Sequence, residues 1–108
     1  MRIYAVRYEW DEQKNRLNRL KHDGVSFEMA MSVFDDDHRL LGLDHVDEEG
    51  EQRWHAIGAV RVAPEGDFLL FVAHVYREND DGEEIIRIIS ARRASEYDVR
   101  RYQEQAVD

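Results

Sequence analysis

The chain has 108 residues, enough for one domain with one modest core, and no cysteine, which excludes disulfides, thiolate metal sites and a cysteine nucleophile. With 24 acidic against 15 basic side chains its net charge is −9, which opposes loose adhesion to nucleic acid and favours a basic partner. No apolar run approaches the roughly 20 residues that span a bilayer, and Arg2 and Arg7 interrupt any leader-like core, so a cytoplasmic protein with no membrane contact is expected.

Residues 1–8 carry Tyr4, Val6 and Tyr8 at every second position, the period of a short edge strand. Asp11 is placed to cap a helix running to about Lys21, with Glu12 near the positive end of its dipole and Lys21 and His22 near the negative end. On a helical projection Asp11, Lys14, Asn15, Asn18, Lys21 and His22 share one face, while Leu17 and Leu20 lie on the other side. Asparagine is a poor helix-interior residue, so this polar face is expected either to be solvated or to grip phosphates or a partner.

Asp23 and Gly24 end that helix, and Ser26 can cap a second whose Phe27, Ala30, Met31 and Phe34 recur at helical spacing as a core stripe. Asp35, Asp36 and Asp37 stop it, residues 40–43 suggest a strand, and residues 45–51 an acidic exposed loop. Asp35, Asp37, Asp44 and Asp47 lack the spacing of a calcium loop, and no metal is expected.

Residues 53–62, 68–76 and 84–90 have strand character and are joined by a connector with Pro64 and Gly66 and by a turn-rich segment at 77–83, so three consecutive antiparallel strands are expected. Residues 68–73 are apolar at both parities, as in a central strand covered on both faces. Arg87 sits among four isoleucines, and a guanidinium that stays charged must find a carboxylate or reach water. Ser95 followed by Asp98 can cap a last helix, with Val99 and Tyr102 towards the sheet and Arg100 and Arg101 outward. Basic groups therefore gather at the corner between the last strand and this helix, where a functional site is expected. The pattern predicts a single α+β domain over residues 1–108, with two N-terminal helices and a C-terminal helix on an antiparallel sheet.

Tyr8-Glu9-Trp10-Asp11-Glu12, Lys14-Asn15, Asn18, Lys21-His22, Gly24-Val25-Ser26-Phe27, Val33-Phe34-Asp35, Gly50-Glu51, Arg53, His74, Tyr76-Arg77 and the block Arg87-Ile88-Ile89-Ser90-Ala91-Arg92-Arg93-Ala94 together resemble the BrnT family of type II toxins. The resemblance runs from about residue 8 to residue 102. It implies a RelE-like fold and RNA cleavage that inhibits translation. It also implies a hetero-oligomer with a BrnA-type antitoxin, which sequesters the toxin and alone contacts operator DNA. No cofactor is implied.

Metal-free RNA cleavage needs the 2′-hydroxyl deprotonated, the phosphate's developing charge stabilised and the leaving 5′-oxygen protonated, work suited to histidine and arginine. His74 is the expected proton-transfer group and His55 the second candidate. Arg53, Arg77 and Arg92, joined by Arg87, are expected to cradle the phosphate, and Lys14, Lys21 and Arg93 to extend the RNA contact with Arg87. Strict alternation puts His74 and Arg77 on opposite faces of their strand. The competing expectation is a non-catalytic binding module of the same fold, whose basic residues serve ion pairs and antitoxin contacts.

Overall fold

In the computed structural model, which describes residues 6–62, 64 and 66–105, the elements in chain order are β1 (Val6–Glu9), α1 (Glu12–Lys21), α2 (Phe27–Met31), a 3₁₀ turn (Ser32–Asp35), β2 (Leu40–Val46), β3 (Gln52–Val62), β4 (Gly66–Glu78), β5 (Glu84–Arg93) and α3 (Glu96–Gln105). They form one five-stranded sheet in the order β1-β5-β4-β3-β2. The strands from β2 to β5 are joined antiparallel, each to the next, as the turn signals predict. β1 instead lies parallel to β5, so the sheet is mixed and the expectation of an antiparallel sheet is corrected. The reason lies in the connection: β1 and β5 are separated by the helices and three strands, and only a crossover of that kind can deliver a parallel neighbour. Residues 1–5 of the expected first strand fall outside the described residues.

The second helix is shorter than its apolar stripe suggests. Five α-helical residues pass into the 3₁₀ turn at Ser32, and Asp36 ends it in extended backbone. The Asp36 carboxylate accepts from the Ala59 amide at 2.8 Å and from the Tyr102 hydroxyl at 2.6 Å, tying the turn to β3 and to α3. Burial alone would raise the Asp36 carboxyl, but hydrogen bonds from Tyr102, Ala59 and His38 outweigh it and hold the group below its ordinary value. Burial, and then the same carboxylate, push the Tyr102 phenol up to about 12. Gly58 lets the turn ride directly on β3, since a Cβ there would stand 2.8 Å from Val33 Cγ1 and 3.0 Å from the Val33 carbonyl.

The first helix begins where its cap predicts, with Asp11 accepting from the amides of Gln13 and Lys14, but it faces the opposite way. Asn15 and Asn18 are 0% and 7% exposed, whereas Leu17 and Leu20 are 54% and 79% exposed. Asn15 accepts from the Phe27 amide at 2.9 Å, one of the orphan donors at the start of α2, and donates to Glu28. Asn18 donates to the carbonyls of Val25 and Ala91, at 2.9 and 2.8 Å, and accepts from the Ala91 amide at 3.2 Å. β1 stops at Glu9, opposite Arg87, so beyond that point the edge of β5 has no strand beside it among the described residues. A primary amide donates and accepts as a peptide does, and Asn18 fills the vacancy at Ala91. At Asn15 and Asn18 the expected solvation gives way to that backbone demand, while Asp11, Lys14 and Lys21 of the same face stay exposed.

The main core lies between the helices and one side of the sheet. Val25, Phe27, Ala30 and Val33 pack on Ala56, Val60, Leu70, Val72, Ile86, Ile88 and Ala91. α3 starts with the reciprocal cap expected of Ser95 and Asp98: Ser95 Oγ accepts from the Asp98 amide at 3.1 Å, and Asp98 accepts from the Ser95 amide at 2.9 Å. No helix among the described residues is long and apolar enough to cross a membrane.

Candidate functional site

Strict alternation along β5 would send Arg87 and Arg92 to opposite faces of the sheet, and a bulge prevents this. Ile88 pairs with His74 and Ser90 with Ala73, which leaves Ile89 unpaired between them. The parity of the strand reverses there, so Ile86, Ile88 and Ala91 all enter the helix-side core. Arg87 and Arg92 both fall on the other side, the face where α3 packs against β2 and β3.

The arginines expected to act together nevertheless separate into two groups. Arg87 and Arg77 both donate to Glu9 Oε1, at 3.3 and 3.4 Å; Arg77 also approaches Glu51 at 3.7 Å, and Arg53 lies 3.5 Å from Glu51 and 3.2 Å from Asp47. Arg87 thus has its carboxylate from the neighbouring strand. Three arginines alternate with three carboxylates, and these partly exposed pairs contribute on the order of 1 kcal/mol or less each. Arg92 stands five residues of strand away from Arg87, roughly 15 Å along the sheet, and donates to Asp98 at 2.8 Å. Burial would raise the Asp98 carboxyl, but the Ser95 and Arg92 hydrogen bonds hold it below the usual range.

Around Arg92 the structure assembles a group only partly foreseen from the sequence. The Arg92 guanidinium lies 4.1 Å over the Phe71 ring, and the His55 imidazole stacks on the same ring at 4.9 Å and 15°. Gly42 is the β2 partner of His55, and a Cβ at 42 would stand 2.6 Å from His55 Cε1, so glycine is what lets the ring lie across β2. Two residues on, β2 bulges at Asp44, which has no partner between the Leu43–Trp54 and His45–Arg53 pairs. The bulge aims its carboxylate at His55 Nδ1, 2.5 Å away. Arg101 NH1 lies 3.0 Å from His55 Nε2. A guanidinium can only donate, so Nε2 is the accepting nitrogen and the ring proton sits on Nδ1, facing Asp44. The expectation that Arg101 points outward is corrected: it reaches back under α3 to this histidine.

The other expected site residues scatter. His74 is fully buried on the helix side, with Phe34 and Tyr76 edge-on at 4.9 Å each. Burial pushes its imidazole down to about 4, its Nδ1 lies 3.3 Å from the Val72 carbonyl, and its Nε2 is buried without a hydrogen-bond partner. Arg93 is also on the helix side, 4.0 Å over Phe68, in a hollow that includes Asp23 and Gly24. Lys21 is exposed at the end of α1. Lys14 does reach the relevant side: with Asp44, Asp47, Glu49, Arg53, Ala73 and Ile89 it lines a groove of about 510 Å³. Its walls carry both signs of charge. Among the described residues no group of three or more histidines and carboxylates is arranged to hold a metal ion.

His55, Asp44, Gly42 and Arg101 come from three elements and are joined only by folding. The sequence signals were a glycine in the otherwise apolar stretch 40–43 and a histidine on a strand; neither announces the other.

An α+β domain with a histidine–carboxylate pair beside two arginines and an aromatic ring has the parts of a phosphodiester-cleaving enzyme. The chain matches, over residues 10–98, the model of the family described as "Ribonuclease toxin, BrnT, of type II toxin-antitoxin system", and so belongs to that family of ribonuclease toxins. No curated protein matches it closely enough to count as a relative. The matched span includes Asp44, His55 and Arg92 and ends before Arg101.

Proposed function

We propose that this chain, a type II toxin with a RelE-like fold, cleaves RNA and thereby inhibits translation in the cytoplasm until a BrnA-type antitoxin binds it. The observation that carries the reading is the Asp44–His55 pair on the α3 side of the sheet, with Arg92 and Arg101 beside it and Phe71 beneath. Asp44 holds the Nδ1 proton, which leaves Nε2 as the base. A phosphate draws Arg101 away from Nε2, because a charge-assisted arginine–phosphate contact is stronger than an arginine–imidazole one. Nε2 then takes the 2′-hydroxyl proton, the 2′-oxygen bonds to phosphorus, and the 5′-oxygen leaves with a proton from water at the exposed side of the site. Arg92 and Arg101 meet the charge that develops on the phosphate oxygens, and Phe71, between Arg92 and His55, holds the two groups in place.

In this role His55, 6% exposed and covered by the Arg101 side chain that a phosphate would draw off, replaces His74, which is 0% exposed between two aromatic rings on the other side of the sheet. Arg53 and Lys14 line the neighbouring groove and extend the RNA contact, whereas Lys21 and Arg93 lie elsewhere. One observation favours a second reading. Arg53, Arg77 and Arg87 are already matched by Asp47, Glu51 and Glu9, as a non-catalytic module that works through its antitoxin would have them.

The test is RNA cleavage by the antitoxin-free protein in excess chelator, with product ends identified by mass. Fragments ending in 2′,3′-cyclic phosphate and starting with 5′-hydroxyl are expected. An absence of cleavage by folded protein supports the binding module, and 5′-phosphate ends would exclude attack by the 2′-oxygen.

A further inference from the structure

β2 is the last strand of the sheet, and among the described residues it pairs only with β3. Such an edge presents unpaired amides and carbonyls, and proteins ordinarily blunt it with charge, proline or a cover. The bulge at Asp44 and the packing of α3 against β2 guard it in part, but Leu41, Leu43 and Val46 stay 40%, 48% and 54% exposed. The two leucines stand opposite Ala56 and Trp54, on one side of the sheet and at the two-residue spacing that an added strand would match.

Charge decides what can lie there. Asp35, Asp36 and Asp37 precede the strand, with Arg39 the one arginine or lysine between them and Leu40, and Asp47, Glu48, Glu49 and Glu51 follow it, so both ends of the edge carry net negative charge even with Asp36 and Asp47 engaged within the chain. Two copies of this chain joined through β2 would bring acidic ends together whether they ran parallel or antiparallel. A basic extended segment meets opposite charge at both ends and apolar surface between them.

We propose that this edge receives an extended basic segment of the antitoxin, added as a sixth strand beside β2, its apolar side chains over Leu41 and Leu43 and its lysines or arginines against the two acidic ends. The proposal rests on the family membership, which supplies an antitoxin, and not on the cleavage chemistry. Its failure and that of the ribonuclease reading are therefore separate results.

The experiment is hydrogen exchange of the free chain and of its purified complex with its own antitoxin, together with the affinity of a Leu41→Lys/Leu43→Lys variant. In the complex the amides of residues 40–46 are expected to slow. The double variant, folded by circular dichroism, is expected to lose affinity by about tenfold or more, as a hot-spot contact does, with RNA cleavage by the free chain unchanged. Unaltered exchange in 40–46 with new protection at the exposed leucines of α1 would overturn the proposal. So would unaltered affinity of the folded variant, or a dimer of the free chain that protects β2 by itself. The wild-type exchange decides the matter if the variant does not fold.

Discussion

The Asn18→Ala substitution is expected to lower folding stability by roughly 3 kcal/mol, because it leaves the buried amide and carbonyl of Ala91 and the carbonyl of Val25 without partners. Asn18→Asp is expected to be at least as harmful, since it keeps an acceptor for the Ala91 amide but sets a carboxylate against two carbonyl oxygens. Leu20→Ser, at a site 79% exposed, is expected to change stability by no more than about 0.5 kcal/mol. Denaturant unfolding of the three variants measures the order directly. An α1 with its leucines inward and its asparagines in water would give the reverse order.

His55→Gln is expected to slow RNA cleavage by about 10²- to 10⁴-fold, the range for a lost proton-transfer group, with little change in melting temperature. His74→Leu is expected to cleave within a few-fold of the parent, since that ring touches the core and not the α3 side of the sheet. Its effect should appear in acid stability. Burial pushes the His74 imidazole down to about 4 from an ordinary 6.5, so between those values the unfolded chain binds a proton that the folded chain refuses. The contribution is complete above pH 6.5 and is lost as pH falls towards 4, by about 3 kcal/mol in all. The urea midpoint of the parent should fall relative to that of His74→Leu along that interval. Parallel loss in both proteins would contradict neutral burial, and loss of cleavage in a folded His74→Leu would return the proton-transfer role to His74.

The parts of the fold that the sequence makes legible are those governed by local rules. Asp11, Ser26 and the Ser95/Asp98 pair cap the three helices, and the strands from residue 52 onward follow their turn signals. What it hides are demands set by distant backbone. The polarity of α1 is opposite to its hydrophobic pattern because Ala91, 73 residues from Asn18, pairs with Val72 of β4 on one side and, among the described residues, has no strand on the other. The parallel β1 follows from the crossover and not from its four residues.

The site is legible in composition and not in grouping. Arg92 and Asp98 meet where the strand-to-helix corner was expected to matter, and His55 was named as a candidate. The bulge at Ile89, which puts Arg87 and Arg92 on one face, and the bulge at Asp44, which aims a carboxylate at His55, have no signature in residue type. Alternation does correctly separate His74, on the helix side, from Arg77 on the other.

The central claim is that RNA binds on the α3 side of the sheet with His55 at its centre, and NMR shift mapping with a 2′-O-methyl RNA oligonucleotide tests it most directly. That probe lacks the free 2′-hydroxyl and stays intact while bound. Shifts are expected in the His55 ring, in the side-chain signals of Arg92 and Arg101, and in Phe71. Shifts confined to the helix side, at Lys21, Arg93 and Phe68, with the His55 ring unmoved, would contradict it.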